Sequence, residues 1–174
     1  MTQGFDFAGG PHAGALIGRS QFRNFKDRDM YKNILIATDG SELAQKAVAQ
    51  GLALAKALAA KATAITVTEH WASMVTGEMG VAYPIEDYEK GCAASAAKIL
   101  AAAEDIAKMS GVSCETLHVK DQFPAEGIIE TAKKRDCDLI VMASHGRRGV
   151  SRLLMGSQAN RVVTLSTIPV LICR

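Results

Sequence analysis

Between Ala143 and Ser157 the chain reads Ala-Ser-His-Gly-Arg-Arg-Gly-Val-Ser-Arg-Leu-Leu-Met-Gly-Ser, a stretch that follows an apolar run and delivers the chain into helical periodicity. Glycines let a backbone approach a ligand closely or take positive φ, and the first N–H groups of a helix have no partner inside it. The amides of Gly156, Ser157 and Gln158 therefore form a ready site for an anion, phosphate above all. A plainer account stands beside this one, in which Gly146 and Gly149 shape a turn and Ser157 caps the helix. A second polar cluster, Thr38-Asp39-Gly40-Ser41, follows an earlier apolar run. Asp39 can serve there as a helix cap and nothing more. With a nucleotide bound, bare phosphates would repel its carboxylate, so Asp39 suits the ribose and base end, where hydroxyls and amines donate.

Other residues that invite chemistry have simpler explanations. His145 has no Ser, Cys or paired carboxylate evidently arranged with it, so a loop-shaping role is favoured over general-base work. Arg147 and Arg148 can reach phosphates or remain solvated loop charges. Glu126 and Glu130 lie one helical turn apart and read as a solvated helix face. Trp71, Met74, Met79 and Tyr83 can stack on a flat base, but packing onto a sheet edge is the simpler account. No G-x-x-x-x-G-K-[ST], no G-x-G-x-x-G after the first strand and no G-x-S-x-G occurs, which weighs against ordinary kinase, dehydrogenase and hydrolase chemistry.

The elements that must position these groups alternate from Met30 onward. Ile34 to Ala37 is a continuous apolar run, as in a strand buried on both faces. Ala44, Ala47, Val48, Gly51, Ala55 and Leu58 then recur on one face of a helix. Ala62 to Glu69 reads as a second strand. A long Ala-rich helix from Ile85 stops at Gly111, and Val112 to Lys120 alternates as a third strand. Pro124 opens a third helix with Ile128, Ile129 and Ala132 inward; Leu139 to Met142, Gly156 to Ser166 and Val170 to Cys173 read as strand, helix and strand. Five strands interleaved with four helices predict an α/β domain, a doubly wound five-stranded parallel sheet with helices on both faces. Ligands in such sheets bind beyond the carboxyl ends of the strands, where strand order reverses.

Composition bounds the remaining possibilities. The 174 residues are 48% hydrophobic, enough for one well-cored domain. Lys and Arg number 20 against 18 Asp and Glu, a net charge of +2, so no basic surface for nucleic acid is indicated. Cys92, Cys114, Cys137 and Cys173 form no C-x-x-C pair and read as reduced, mostly buried thiols in a cytoplasmic protein. No apolar run reaches the roughly 18 residues of a membrane span. Residues Met1 to Asp29 carry no helical or strand period and read as a leader, flexible or expression-derived, ahead of a domain over 30–174. The short apolar last strand, if it lies at a sheet edge, offers pairing groups to a second copy.

Tyr31 to Ser41, Ala62 to Glu69 and Asp138 to Arg174 resemble the universal stress protein family, and the likeness spans essentially Met30 to Arg174. In that family's nucleotide-binding branch the loop reads G-x2-G-x9-G-[S/T]; here Ala143, Gly146, Gly156 and Ser157 occupy those positions. Ala143 departs from the pattern, and its methyl is expected to crowd a phosphate or restrict the backbone. The resemblance implies ATP as the ligand, with Mg²⁺ a candidate companion. It places Asp39 near adenine and ribose, puts the Val67 backbone against the adenine, and makes Gly146, Gly156, Ser157 and the N–H of Gln158 the phosphate cradle. It also implies a homodimer formed through the last strand; a protein partner, unidentified, is expected. Hydrolysis should be slow or absent, because the sequence offers a cradle for the triphosphate but no evident water-activating base or arginine finger. Two alternatives stay open: a dimeric interaction protein that binds no nucleotide, and a weak ATPase.

Overall fold

The computed structural model describes residues 30–70, 84–146 and 155–174. The leader, the group Trp71, Met74, Met79 and Tyr83, and the pair Arg147 and Arg148 lie outside the described residues. The strands are β1 (Asn33–Ala37), β2 (Lys61–Val67), β3 (Cys114–Val119), β4 (Leu139–Ala143) and β5 (Val170–Cys173). Between them run α1 (Glu42–Leu58), α2 (Ile85–Ser110), α3 (Pro124–Lys134) and α4 (Ser157–Leu165).

The strands form one sheet in the order β3-β2-β1-β4-β5, and every pairing is parallel. The chain leaves β1 toward β2 and β3, then returns to build β4 and β5 on the other side. The order therefore reverses between β1 and β4, the place where such sheets open a crevice at their carboxyl edge. Ile34, Leu35, Ile36, Ile65, Ile140 and Val141 are fully buried, each contributing about 1.5–3 kcal/mol of transfer free energy. Because side chains alternate across the sheet, they divide into two cores. Ile34, Ile36 and Val141 meet Ala44, Ala47 and Val48 of α1 and Ala103 and Ala107 of α2. Leu35, Ile65 and Ile140 meet Ile128 and Ile129 of α3 and Val162 of α4.

The helical face read for α1 is buried, with Leu52 added to it and Leu58 only half-buried at the helix end. α2 ends at Gly111 with φ 63°, whose N–H caps the Ala107 and Lys108 carbonyls. The second and third strands are shorter than their sequence patterns, since Thr68 to Glu69 and Val112 to Ser113 belong to the connections. All four cysteines are free thiols; Cys137 and Cys173 are buried, whereas Cys92 and Cys114 are half-buried. Among the described residues no helix is long and apolar enough to cross a membrane.

Candidate functional site

Two turns meet at the carboxyl edge where the strand order reverses. The first leaves β1. Thr38, 7% exposed, extends the ladder by donating its N–H to the Ile65 carbonyl at 2.9 Å. Asp39 then folds the chain back, its Oδ1 accepting the Ser41 N–H at 3.0 Å. The cap of α1 is Ser41, whose Oγ accepts from the Ala44 N–H at 3.2 Å, so Asp39 is left at the head of the turn. Gly40 sits at φ 79°, and a Cβ there would lie 2.8 Å from Ile99 Cγ1 of α2. Only glycine allows this turn and this approach together.

The second turn leaves β4, and Ser144 anchors it. Its N–H donates to the Cys173 carbonyl at 2.8 Å, and its own carbonyl accepts the Gly156 N–H at 2.9 Å. Both ends of the loop are thereby joined beside the edge strand. The Gly156 amide is consequently committed to Ser144 and is not part of an open anion cradle. Ser157 does not cap α4 either: Gly156 is the N-cap, without a side-chain acceptor, and Ser157 is the first helical residue. The amides of Ser157 and Gln158 keep the orientation of helix-opening donors.

Gly146 and Asp39 come together across the crevice. A Cβ on Gly146 would lie 2.5 Å from Asp39 Oδ2, so the loop passes the carboxylate at a distance that only glycine permits. A Cβ on Gly156 would lie 3.1 Å from the Ser144 carbonyl oxygen. Ala143 is elsewhere. It pairs with Cys173, is 7% exposed, and sends its methyl into the core on the α1 side of the sheet. Pleat alternation thus turns the methyl toward the α1 side of the sheet.

Val67 closes β2, half-buried. Thr68 bonds to β3 and its extension, through its N–H to Val119 and its carbonyl from the Gln122 N–H. By alternation the Val67 N–H and carbonyl face the β1 side, beyond the last residue of β1. A Cβ on Gly127 would lie 2.9 Å from Val67 Cγ1, so α3 closes over this strand end.

Helix electrostatics single out α4. α1, α2 and α3 carry acidic residues in their first turns (Glu42; Glu86 and Asp87; Glu126) and basic ones in their last, which offset their dipoles. α4 has neither. Contrary to the sequence expectation, a serine is arranged with His145: the imidazole Nδ1 lies 3.1 Å from Ser144 Oγ, while its buried Nε2 has no partner among the described residues. Glu126 is not on a freely solvated face: it pairs with Arg161 of α4. Glu130 pairs with Lys134 at 3.2 Å, as its spacing on an exposed face suggests.

Two other openings are of another kind. A cleft of about 680 Å³ lies at the opposite edge of the sheet, where Lys56 Nζ is bonded to the Ser110 carbonyl at 2.7 Å and Arg135 to Glu115. A hollow of about 220 Å³ beside β3 holds groups already joined to one another: Thr68 Oγ1 to His118 Nε2 at 2.9 Å, and the Tyr88 hydroxyl to the Glu69 carbonyl at 2.8 Å. Burial pushes the Tyr88 hydroxyl up to about 12 and the His118 imidazole down. Among the described residues no three His, Cys, Asp or Glu side chains are grouped to hold a metal ion.

The sequence profile of the universal stress protein family matches residues 30–174. The chain belongs to that family. It is 32% identical over 149 residues to the universal stress protein YxiE of Bacillus subtilis, covering 83% of this chain and all of that protein. Among solved structures, a universal stress protein in complex with cAMP is 27% identical with TM-score 0.64, over 83% of this chain and 98% of the other. UspA from Lactobacillus plantarum is 26% identical with TM-score 0.66, over 83% and 98%. Sequence reading of this universal stress protein missed Ser144, the residue that fastens the loop. A small polar residue immediately after an apolar strand was its only signal.

Proposed function

We propose that this universal stress protein binds an adenine nucleotide, ATP, in the crevice between the ends of β1 and β4. The observation that carries the reading is the approach of Gly146 to Asp39, 2.5 Å from a hypothetical Cβ to Oδ2, which brings the signature loop and the β1 carboxylate to one point. The uncompensated amino end of α4 supports it, since a helix start without acidic side chains attracts an anion. So does the cAMP bound by a solved relative.

In this reading the Ser157 and Gln158 amides hold phosphate oxygens, Gly146 and Gly156 give the backbone its close path, and the Val67 backbone faces the adenine. Asp39 accepts from ribose hydroxyls, away from the phosphates. Ala143 contributes as a core residue beneath the loop. Mg²⁺, were it to accompany ATP, would be held by the phosphates themselves and would offset their charge, with no ligand group supplied by the described residues. The protein acts as a cytoplasmic regulatory module whose output is conformational. Hydrolysis is slow or absent, because the described residues supply donors for phosphate and no base paired to activate water. Equilibrium binding of labelled ATP should saturate; no saturable signal at millimolar ligand, with folding verified by circular dichroism, would remove the proposal.

Association is a second part of the reading. β5 is an edge strand, and Leu171 on it, with Val163 and Leu165 of α4, is exposed. A second copy pairing along β5 gives a homodimer. Light scattering at micromolar concentration should return twice the chain mass, and a monomer would contradict it. The leader over Met1 to Asp29 is proposed to lie outside the nucleotide-binding domain.

A further inference from the structure

Two side chains of α4 reach the first turn of α3. α3 opens without a cap of its own: Phe123 at the N-cap has no side-chain acceptor, and Pro124 follows at the first helical position. The missing acceptor comes from α4, where Gln158 Oε1 takes the Ala125 N–H at 3.2 Å. One turn along, Arg161 donates to Glu126 Oε1, and the other carboxylate oxygen, Oε2, is buried without a partner among the described residues. Residues 158 and 161 thus clamp residues 125 and 126.

α4 has nine residues and no charged group at either end to steady it, so its direction must be set by what it touches. Ala159 and Val162 seat it in the core, and Gly156 fastens its start to Ser144. The contacts to α3 add control over its tilt. We infer that Gln158 and Arg161, acting through Ala125 and Glu126, are positioning residues that aim the amino end of α4 at the nucleotide's phosphates. This rests on the nucleotide reading above.

The test exploits a difference of sign. Glu126→Ala removes a negative charge near an anion site, so simple electrostatics makes ATP bind more tightly. Loss of the clamp makes it bind more weakly. The expected result is a loss of about fivefold or more in ATP affinity, with adenosine, which has no phosphates, bound as before. Glu126→Gln keeps an acceptor for Arg161 and recovers most of the loss, while Gln158→Ala weakens ATP alone. Without ligand, Glu126→Ala speeds amide hydrogen exchange in the first turns of α4. Unchanged or tighter ATP binding by Glu126→Ala, or parallel loss of ATP and adenosine, overturns the inference while the nucleotide reading survives. A natural chain that binds no ATP overturns both.

Discussion

Replacing Ala143 by glycine completes the family pattern of the loop, and, because the methyl lies on the α1 side of the sheet, ATP affinity is expected not to improve. Ala143 is 7% exposed and belongs to the core that holds Ile34, Ile36, Ala44, Ala47, Val48 and Cys173, on the face of the sheet covered by α1. Removing its methyl forfeits about 0.8 kcal/mol of burial. A glycine within a strand adds about 0.5–1 kcal/mol of backbone entropy, so Ala143→Gly should cost about 1.5 kcal/mol. For a domain of this size that lowers the melting midpoint by about 5 °C. Thermal unfolding followed by circular dichroism without ligand reads the first quantity, and calorimetric titration with ATP the second. Affinity should stay within about twofold of the natural chain. A tenfold gain, about 1.4 kcal/mol, with an unchanged midpoint would put the methyl in the ligand's space and refute the pleat argument.

Gly146→Ala inserts a Cβ 2.5 Å from Asp39 Oδ2, and Asp39 is held by its bond to Ser41, so ATP affinity in a fluorescence titration should fall by about tenfold. Gly40→Ala adds a side chain at φ 79° against Ile99 and should cost about 1–3 kcal/mol in urea unfolding; an unmoved midpoint would show that the turn relaxes freely. Burial pushes the Cys137 thiol from 9.0 up to about 11, so the folded state holds that proton more firmly than the unfolded chain. Its contribution is complete below pH 9.0 and is lost as pH rises to about 11. Cys137→Ala should therefore lose less stability between about pH 8 and about pH 10.5 than the natural chain, measured by urea midpoints.

Much of the fold was legible because local signals agreed with one another. Ile34 to Ala37 is continuously apolar, as a strand buried on both faces must be, and Gly111 marks the end of α2 by the φ it adopts. That same burial hid the direction of Ala143, since a strand apolar on both faces does not reveal which way any one residue turns. The convergence of Asp39 with the loop at Gly146 and Gly156 followed from parallel topology, which sends every strand end to one edge. Three further features were not legible: the commitment of the Gly156 amide to Ser144, the capping of α3 by Gln158, and the pairing of Glu126 with Arg161. Each joins residues on different elements, through angles that spacing along the chain does not encode.

The unbalanced helix has a consequence for how a ligand arrives. With a net charge of +2, the molecule has little excess charge with which to guide a ligand from a distance. The partial positive pole at the start of α4 fades within about one helical turn. Under the proposed function, capture of ATP begins with contact and not with long-range guidance, and its on-rate should respond little to added salt, unlike that of proteins that funnel partners by excess charge.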